Sequence, residues 1–310
     1  MNRQRIILHV GTHKTGTTAI QTFAYEHRKP LYDKGIYYPL LSDEKTKQLK
    51  KGHNSLAHTL TTNKKKKQSM PVEDILSRWQ EESKGIPILI SAEAFWRHIE
   101  PLKNKDWLSE RKLYLERVAE SLKGFDIEVL VVLREQSSFL NSLYLENIMK
   151  GSKANRMEFE DFCQFLAKRH LRYLDNLQLF QELIGPIRIL TYYEITKNNQ
   201  LCHNFFDPLG IKVHELPEPG HIRISLSPSQ ARIKQLLNPL MLTKGLNNST
   251  NNLLKRCIPK ESNSWWIQKY SQEFWPSEEK RKAWQRMYEN ENESIRALYR
   301  PDLQKLFPET

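Results

Sequence analysis

Cysteine is scarce in this chain. The three present, Cys163, Cys202 and Cys257, are odd in number and widely spaced. They argue against a disulfide framework and supply no Cys-x-x-Cys metal site. Long apolar runs are also missing. No stretch approaches the ~18–20 residues of a membrane span, and the run after Met1-Asn-Arg-Gln-Arg5 is too short for a secretory leader. The expectation is a soluble cytoplasmic protein. Acids are in deficit, 36 against 48 Lys plus Arg, which leaves a net charge of +12. That excess favours anionic partners: a nucleotide, an acidic polysaccharide, a nucleic acid or a membrane surface. Internal repeats are absent, and the one low-complexity stretch is the run Lys64 to Lys67. Like charges repel, so the run reads as an exposed loop. No aromatics are interleaved with it, so a stacking platform for single-stranded nucleic acid is not supported. What remains, 39% hydrophobic residues, is enough to bury a real core.

The chain is organised around Ile6-Ile-Leu-His-Val10 running into Gly11-Thr-His-Lys-Thr-Gly-Thr-Thr18. An apolar run ends in a glycine, a hydroxyl-rich loop follows, and then a helical pattern begins at Ala19, Ile20 and Phe23. That order reads as strand, phosphate loop, helix. Gly11 and Gly16 permit a tight backbone whose N–H groups face an anion, and the new helix adds the positive end of its dipole. Lys14 adds a mobile charge. The glycine spacing is that of a nucleotide P-loop, but Thr17 stands where that motif needs lysine. Read alone, the segment also suits an ordinary strand–helix turn.

Further strands are expected at 36–38, 87–91, 127–133 and 187–191, with amphipathic helices between them. Together with the first strand, these predict a mostly parallel five-stranded sheet covered on both faces. Ile127 to Leu133 is almost continuously apolar, as a buried central strand should be. It ends in Arg134 rather than in the aspartate that many ATPases and GTPases place there for metal. Ser142 follows eight residues later. A planar guanidinium and a hydroxyl can converge on one phosphate. Glu93 lies just past the strand before, where open α/β sheets bind ligands, and is a candidate general base. It also suits the first turn of a helix as a plain dipole charge. His53 and His58 are five apart, poor spacing for two metal ligands. Trp265, Trp266 and Trp275 suit either a sugar-stacking wall or a core.

The Gly11–Gln21 segment, together with Arg134-x7-Ser142-x-Tyr144, resembles the donor-binding motifs of sulfotransferases that use 3′-phosphoadenosine 5′-phosphosulfate (PAPS), in particular the bacterial carbohydrate-type branch. The resemblance runs to about residue 235. It implies a single sulfotransferase domain over 1–310, with a PAPS-binding core over about 1–235 and a helical cover of the acceptor cleft over about 236–310. The implied architecture is a P-loop-like three-layer α/β fold. Donor contacts would come from His13, Lys14, Thr15, Gly16, Thr17 and Thr18 on the 5′-phosphosulfate side. Arg134 and Ser142 would hold the 3′-phosphate, and Tyr193 would lie near the adenine. Lys14 and a base, Glu93 or alternatively His53, would carry the chemistry. PAPS is then the co-substrate and PAP the product, and no metal is required because no carboxylate pair lies near the loop. The acceptor would bear a hydroxyl or amine, leaning toward a saccharide or glycolipid; no nucleic-acid partner and no membrane span are expected. Three features depart from the family pattern: Gln136 replaces a frequent proline, Arg223 replaces an asparagine, and no Arg-Lys-Gly tripeptide is present. Two readings from other classes are an ATP-using P-loop-like kinase and a non-catalytic polyanion-binding module.

Overall fold

The computed structural model describes residues 3–42, 48–61, 70–100, 106–150, 157–167, 169–220, 227–241, 252–254, 256 and 274–308. The lysine run 64–67, Arg223, Cys257, Trp265 and Trp266 lie outside these. The chain forms two compact units. One comprises Met1–Arg134, Arg172–Ile222 and Glu291–Thr310, and the other comprises Glu135–Leu171 and Arg223–Asn290. Among the described residues no helix is long and apolar enough to cross a membrane.

The first unit is built on strands β1 (Arg5–His9), β4 (Ile88–Ser91), β5 (Asp126–Leu133) and β6 (Ile187–Thr191). They form one sheet in the order β4-β1-β5-β6, and every pairing is parallel. Each is an aliphatic run, not an alternating one, because helices cover both faces. Ile6, Leu8, Ile88 to Ile90 and Val129 to Leu133 are fully buried. Burial of each such side chain stabilises the fold by about 1.5–3 kcal/mol. On one face Ile7, Leu89, Leu130 and Val132 pack with Phe23, Phe205 and Phe206. These aromatics come from α1 (Thr17–Glu26) and a later short helix, Leu201–Phe206.

The sheet has four strands where five were expected. Residues 36–38 make one parallel bridge, Tyr37 to Ile88. The Tyr37 N–H donates to Pro87 O, and Tyr37 O accepts from the Leu89 N–H, both at 2.9 Å. Pro39 then has no N–H to extend the ladder. Sequence reading also passed over a small antiparallel pair, β2 (Leu41–Ser42) with β3 (Leu49–Lys50). Two residues a side carry no readable periodicity.

The remaining helices of this unit follow in chain order. They are α2 (Arg28–Asp33), α3 (Asn54–Thr59), α4 (Val72–Ser83), α5 (Ala94–Arg97) and α6 (Trp107–Ser121). Asp106 caps α6 by accepting from Leu108 N and Ser109 N. From α6 the fully buried Arg111 donates to Phe95 O, His98 O and Asn176 Oδ1, which clamps the segment that follows β4.

The second unit begins with α7 (Gln136–Lys150) and α8 (Phe159–Ala167). Its core surrounds Tyr144, whose ring lies 5.1 Å from Phe159 and from Phe162 and 4.8 Å from Phe274. The Tyr144 hydroxyl donates to Met157 O and accepts from Gln235 Nε2. Trp275 is buried here against Phe159 and Trp284, so among the three tryptophans considered it is a core residue. In the first unit the chain continues with α9 (Tyr173–Leu183), α10 (Tyr192–Thr196) and α11 (Leu201–Phe206).

Candidate functional site

The strand order fixes where a ligand-binding crevice forms. From β1 the chain leaves toward β4, and from β5 it leaves toward β6 on the opposite side. The carboxyl ends of adjacent β1 and β5 therefore flank the topological switch point, where open parallel sheets bind ligands. Gly11–Gly16 follows β1 and Arg134 follows β5, so the loop and Arg134 both lie at this crevice.

Backbone bonds anchor the loop base on β5. Val10 N donates to Leu130 O at 3.0 Å and Thr12 N to Val132 O at 3.1 Å. Two residues then turn left-handed, Lys14 at φ 65° and Gly16 at φ 78°. A non-glycine residue in that region costs about 1–3 kcal/mol, and such strain clusters at ligand-binding turns. The Lys14 carbonyl accepts from Arg134 Nη1 at 2.8 Å. The same guanidinium lies 4.6 Å over the Tyr192 ring, and the Arg134 carbonyl accepts from the Tyr173 hydroxyl at 3.0 Å. Arg134 is thus bonded to the loop it was expected to cooperate with.

Gly16 is the N-cap of α1. Among the described residues no side chain caps this helix, and its first turn holds no acid. The N–H groups of Thr17 and Thr18 have no intrahelical acceptor, as in any helix start. The two glycines are needed for space as well as for φ. A Cβ on Gly16 would come within 2.5 Å of Leu201 Cδ1, and one on Gly11 within 2.9 Å of His9 Nε2 and 3.1 Å of Thr15 Oγ1.

Beneath the loop is a polar layer. His9 Nδ1 lies 2.9 Å from Ser91 Oγ, its neighbour in the β1–β4 register. Gln21 from α1 donates to Ser91 O and Oγ. His53 donates through Nε2 to Pro39 O and accepts at Nδ1 from the Ser91 N–H, each at 2.9 Å. Burial pushes both histidines down to about 4. They are neutral near pH 7.

Glu93 is held on both sides: Ala92 N donates to His9 O, and Ala94 N donates to Asn54 Oδ1. Its carboxylate Oε2 lies 2.9 Å from His13 Nδ1. Burial alone would raise the Glu93 carboxyl. The hydrogen bond and charge of His13, the Thr17 hydroxyl and Arg97 outweigh it and hold the group below its usual range. His13 Nε2 is buried and has no hydrogen-bond partner among the described residues. No family model matches the chain, and no curated protein matches its sequence.

The structure thus brings His13, Lys14, Gly16, Thr17, Thr18, Glu93 and Arg134 to one end of one unit. The other expected residues stand as follows. His53 is fully buried with both ring nitrogens engaged, a clip between α3 and β4 and not a group facing the crevice. The Thr15 hydroxyl donates to Thr12 O at 2.6 Å, which makes it a brace of the loop. Tyr193 is 55% exposed, and Tyr192 is the aromatic that packs on Arg134. Ser142 lies on α7, in the second unit. Sequence reading missed His9, Gln21, Ser91 and Tyr192. The alternation of His9 with aliphatic neighbours was the one available signal for a buried polar strand residue. Among the described residues no group of three or more His, Cys, Asp or Glu is arranged to hold a metal ion.

Proposed function

We propose that the chain is a PAPS-dependent sulfotransferase acting on a hydroxyl or amine of a saccharide or glycolipid. The observation that carries the reading is the bond between Arg134 and the Lys14 carbonyl at the β1–β5 switch point. It ties two motifs 120 residues apart into one cationic crevice.

The α1 amides, Thr18 and Lys14 hold the phosphosulfate end of the donor. Arg134, oriented by Tyr192 and by the loop itself, meets the 3′-phosphate; guanidinium geometry suits that planar recognition. In the transition state charge grows on the oxygen leaving with the 5′-phosphate. Lys14 and the amides stabilise that charge, and each such donor is worth roughly 3–4 kcal/mol. The His13–Glu93 pair receives the acceptor proton. His53 is left out of the catalytic set because its lone pair is bonded inside the core. The test is incubation with ³⁵S-labelled PAPS and a panel of glycans, glycolipids and phenols, read by mass spectrometry. A labelled sulfo product from a saccharide supports the reading, and absence of transfer to every acceptor class rejects it.

A further inference from the structure

We infer that His13 is the group that takes the acceptor's proton, and that Glu93 is the positioning residue that orients it. The inference rests on the sulfotransferase reading above and reverses the role that sequence alone gives Glu93.

The argument begins with the hydrogen bond between the two. Glu93 is ionised near neutral pH, so it can only accept, and the His13 Nδ1 must carry the hydrogen. In the neutral ring the lone pair is then on Nε2. That nitrogen is buried and has no partner among the described residues, whereas the lone-pair nitrogen of His53 is bonded to Ser91 N–H. Glu93 makes a poor base where it stands. Its carboxylate is stabilised by His13, by the Thr17 hydroxyl and by Arg97, all of which favour the charged form. A carboxylate that fixes an imidazole's tautomer and steadies the imidazolium is the better use of the same geometry. His13 also belongs to the loop that holds the sulfuryl donor, adjoining Lys14. Glu93, by contrast, is fixed by α5 and the Asn54 contact. The charged and titratable groups that act on Glu93 besides His13 are Arg97 on α5 and His9 on β1.

The step balances as follows. The acceptor oxygen forms a bond to sulfur while its proton passes to His13 Nε2. The bond from sulfur to the bridging phosphate oxygen breaks, and its electron pair leaves on the 5′-phosphate of PAP. Glu93 steadies the imidazolium until it releases the proton to solvent.

Two measurements test this. The first needs no acceptor: the full chain is labelled with ¹⁵N-histidine, and long-range proton–nitrogen spectra are recorded at pH 7.5 with and without PAP. The expected signal for His13 is an Nδ1–H ring with a bare Nε2, lost in Glu93→Gln. An Nε2–H ring overturns the assignment. The second compares kcat and KM for labelled transfer to the acceptor that the panel identifies. His13→Ala should lose about 10²–10⁴-fold in kcat, with the KM for PAPS nearly unchanged, and added imidazole should restore at least ten-fold. Glu93→Ala should not respond to imidazole. His13→Gln at wild-type rate, or an acidic limb of the pH profile that persists in it, overturns the assignment alone. Failure of wild type to bind PAP overturns the function itself.

Discussion

Two helices start side by side in the first unit, and their N-termini are treated in opposite ways. At α11 the Glu218 carboxylate accepts from Cys202 N and His203 N at 3.0 and 2.8 Å. At α1, packed against it through Gly16 and Leu201, the N-cap is a glycine with no side chain to offer, and the Glu93 carboxylate is bonded to the Thr17 hydroxyl. Three other helices also carry side-chain caps: α6 from Asp106, α10 from a Thr191–Glu194 capping box, and Glu278–Met287 from Ser277. A helix start is a small anion site, though α2 and α3, like α1, begin with neither a side-chain cap nor an acid in the first turn. The open start at α1 adjoins Lys14 and is braced by Arg134. The two starts differ in what each meets: at α11 a carboxylate accepts from two amides, and at α1 the Glu93 carboxylate is bonded to the Thr17 hydroxyl beside the loop.

The largest change comes from making the open end resemble the closed one. Thr18→Asp puts a carboxylate in the first turn of α1. Calorimetry should show PAP affinity falling about 10²–10³-fold, because like charges in one site cost several kcal/mol. Urea unfolding should show stability unchanged or raised by up to about 1 kcal/mol. Loss of stability together with unchanged affinity would remove the contrast.

Acid comes next. His9 and His53 titrate near 6.5 when unfolded and at about 4 in the fold. Below pH 6.5 the unfolded chain takes up protons that the fold refuses, so stability is full above 6.5 and declines as pH falls toward 4. The slope should reach roughly 1.4 kcal/mol per pH unit for each histidine. Glu93, held below its ordinary 4.5, adds a further loss at the acid end of that window. Denaturant midpoints from pH 8 to 4 check this, and a flat profile would contradict the buried neutral layer under the loop.

Gly16→Ala should cost about 1–3 kcal/mol from positive φ and the Leu201 contact. It should also weaken PAP binding, since the amides of α1 must shift. The smallest effect belongs to the closed end. Glu218→Gln should cost about 1–2 kcal/mol, the difference between charged and neutral acceptors at two amides, and leave PAP affinity intact. Reduced affinity in Glu218→Gln would mean that the two helix ends are not separate in function.

Much of the frame was legible because aliphatic runs that long admit few alternatives. Strands β1, β4, β5 and β6 lie within two residues of their expected ranges. The segment 36–38 was misread because pairing depends on a partner and on Pro39, not on its own apolar content. At the site, Gly11, Gly16, Lys14 and Arg134 carried their positions in spacing. His53 did not: burial, which decides whether a histidine is a clip or a base, is a property of packing. Tyr192 and Tyr193 differ by one residue at a strand–helix junction, where the direction of a side chain reverses. The His13–Glu93 pairing depends on β1 lying beside β4, and only the strand order reveals that.

The central claim is that the α1 N-terminus, Lys14 and Arg134 grip one doubly phosphorylated adenosine. The most direct measurement is calorimetric titration of the wild-type chain and Arg134→Ala with PAP, ADP and ATP, with and without magnesium. The account predicts that PAP binds at least ten-fold tighter than ADP or ATP, independently of magnesium, and that Arg134→Ala erases this preference. Equal or tighter magnesium-dependent ATP binding, or a PAP preference that survives in Arg134→Ala, would contradict it.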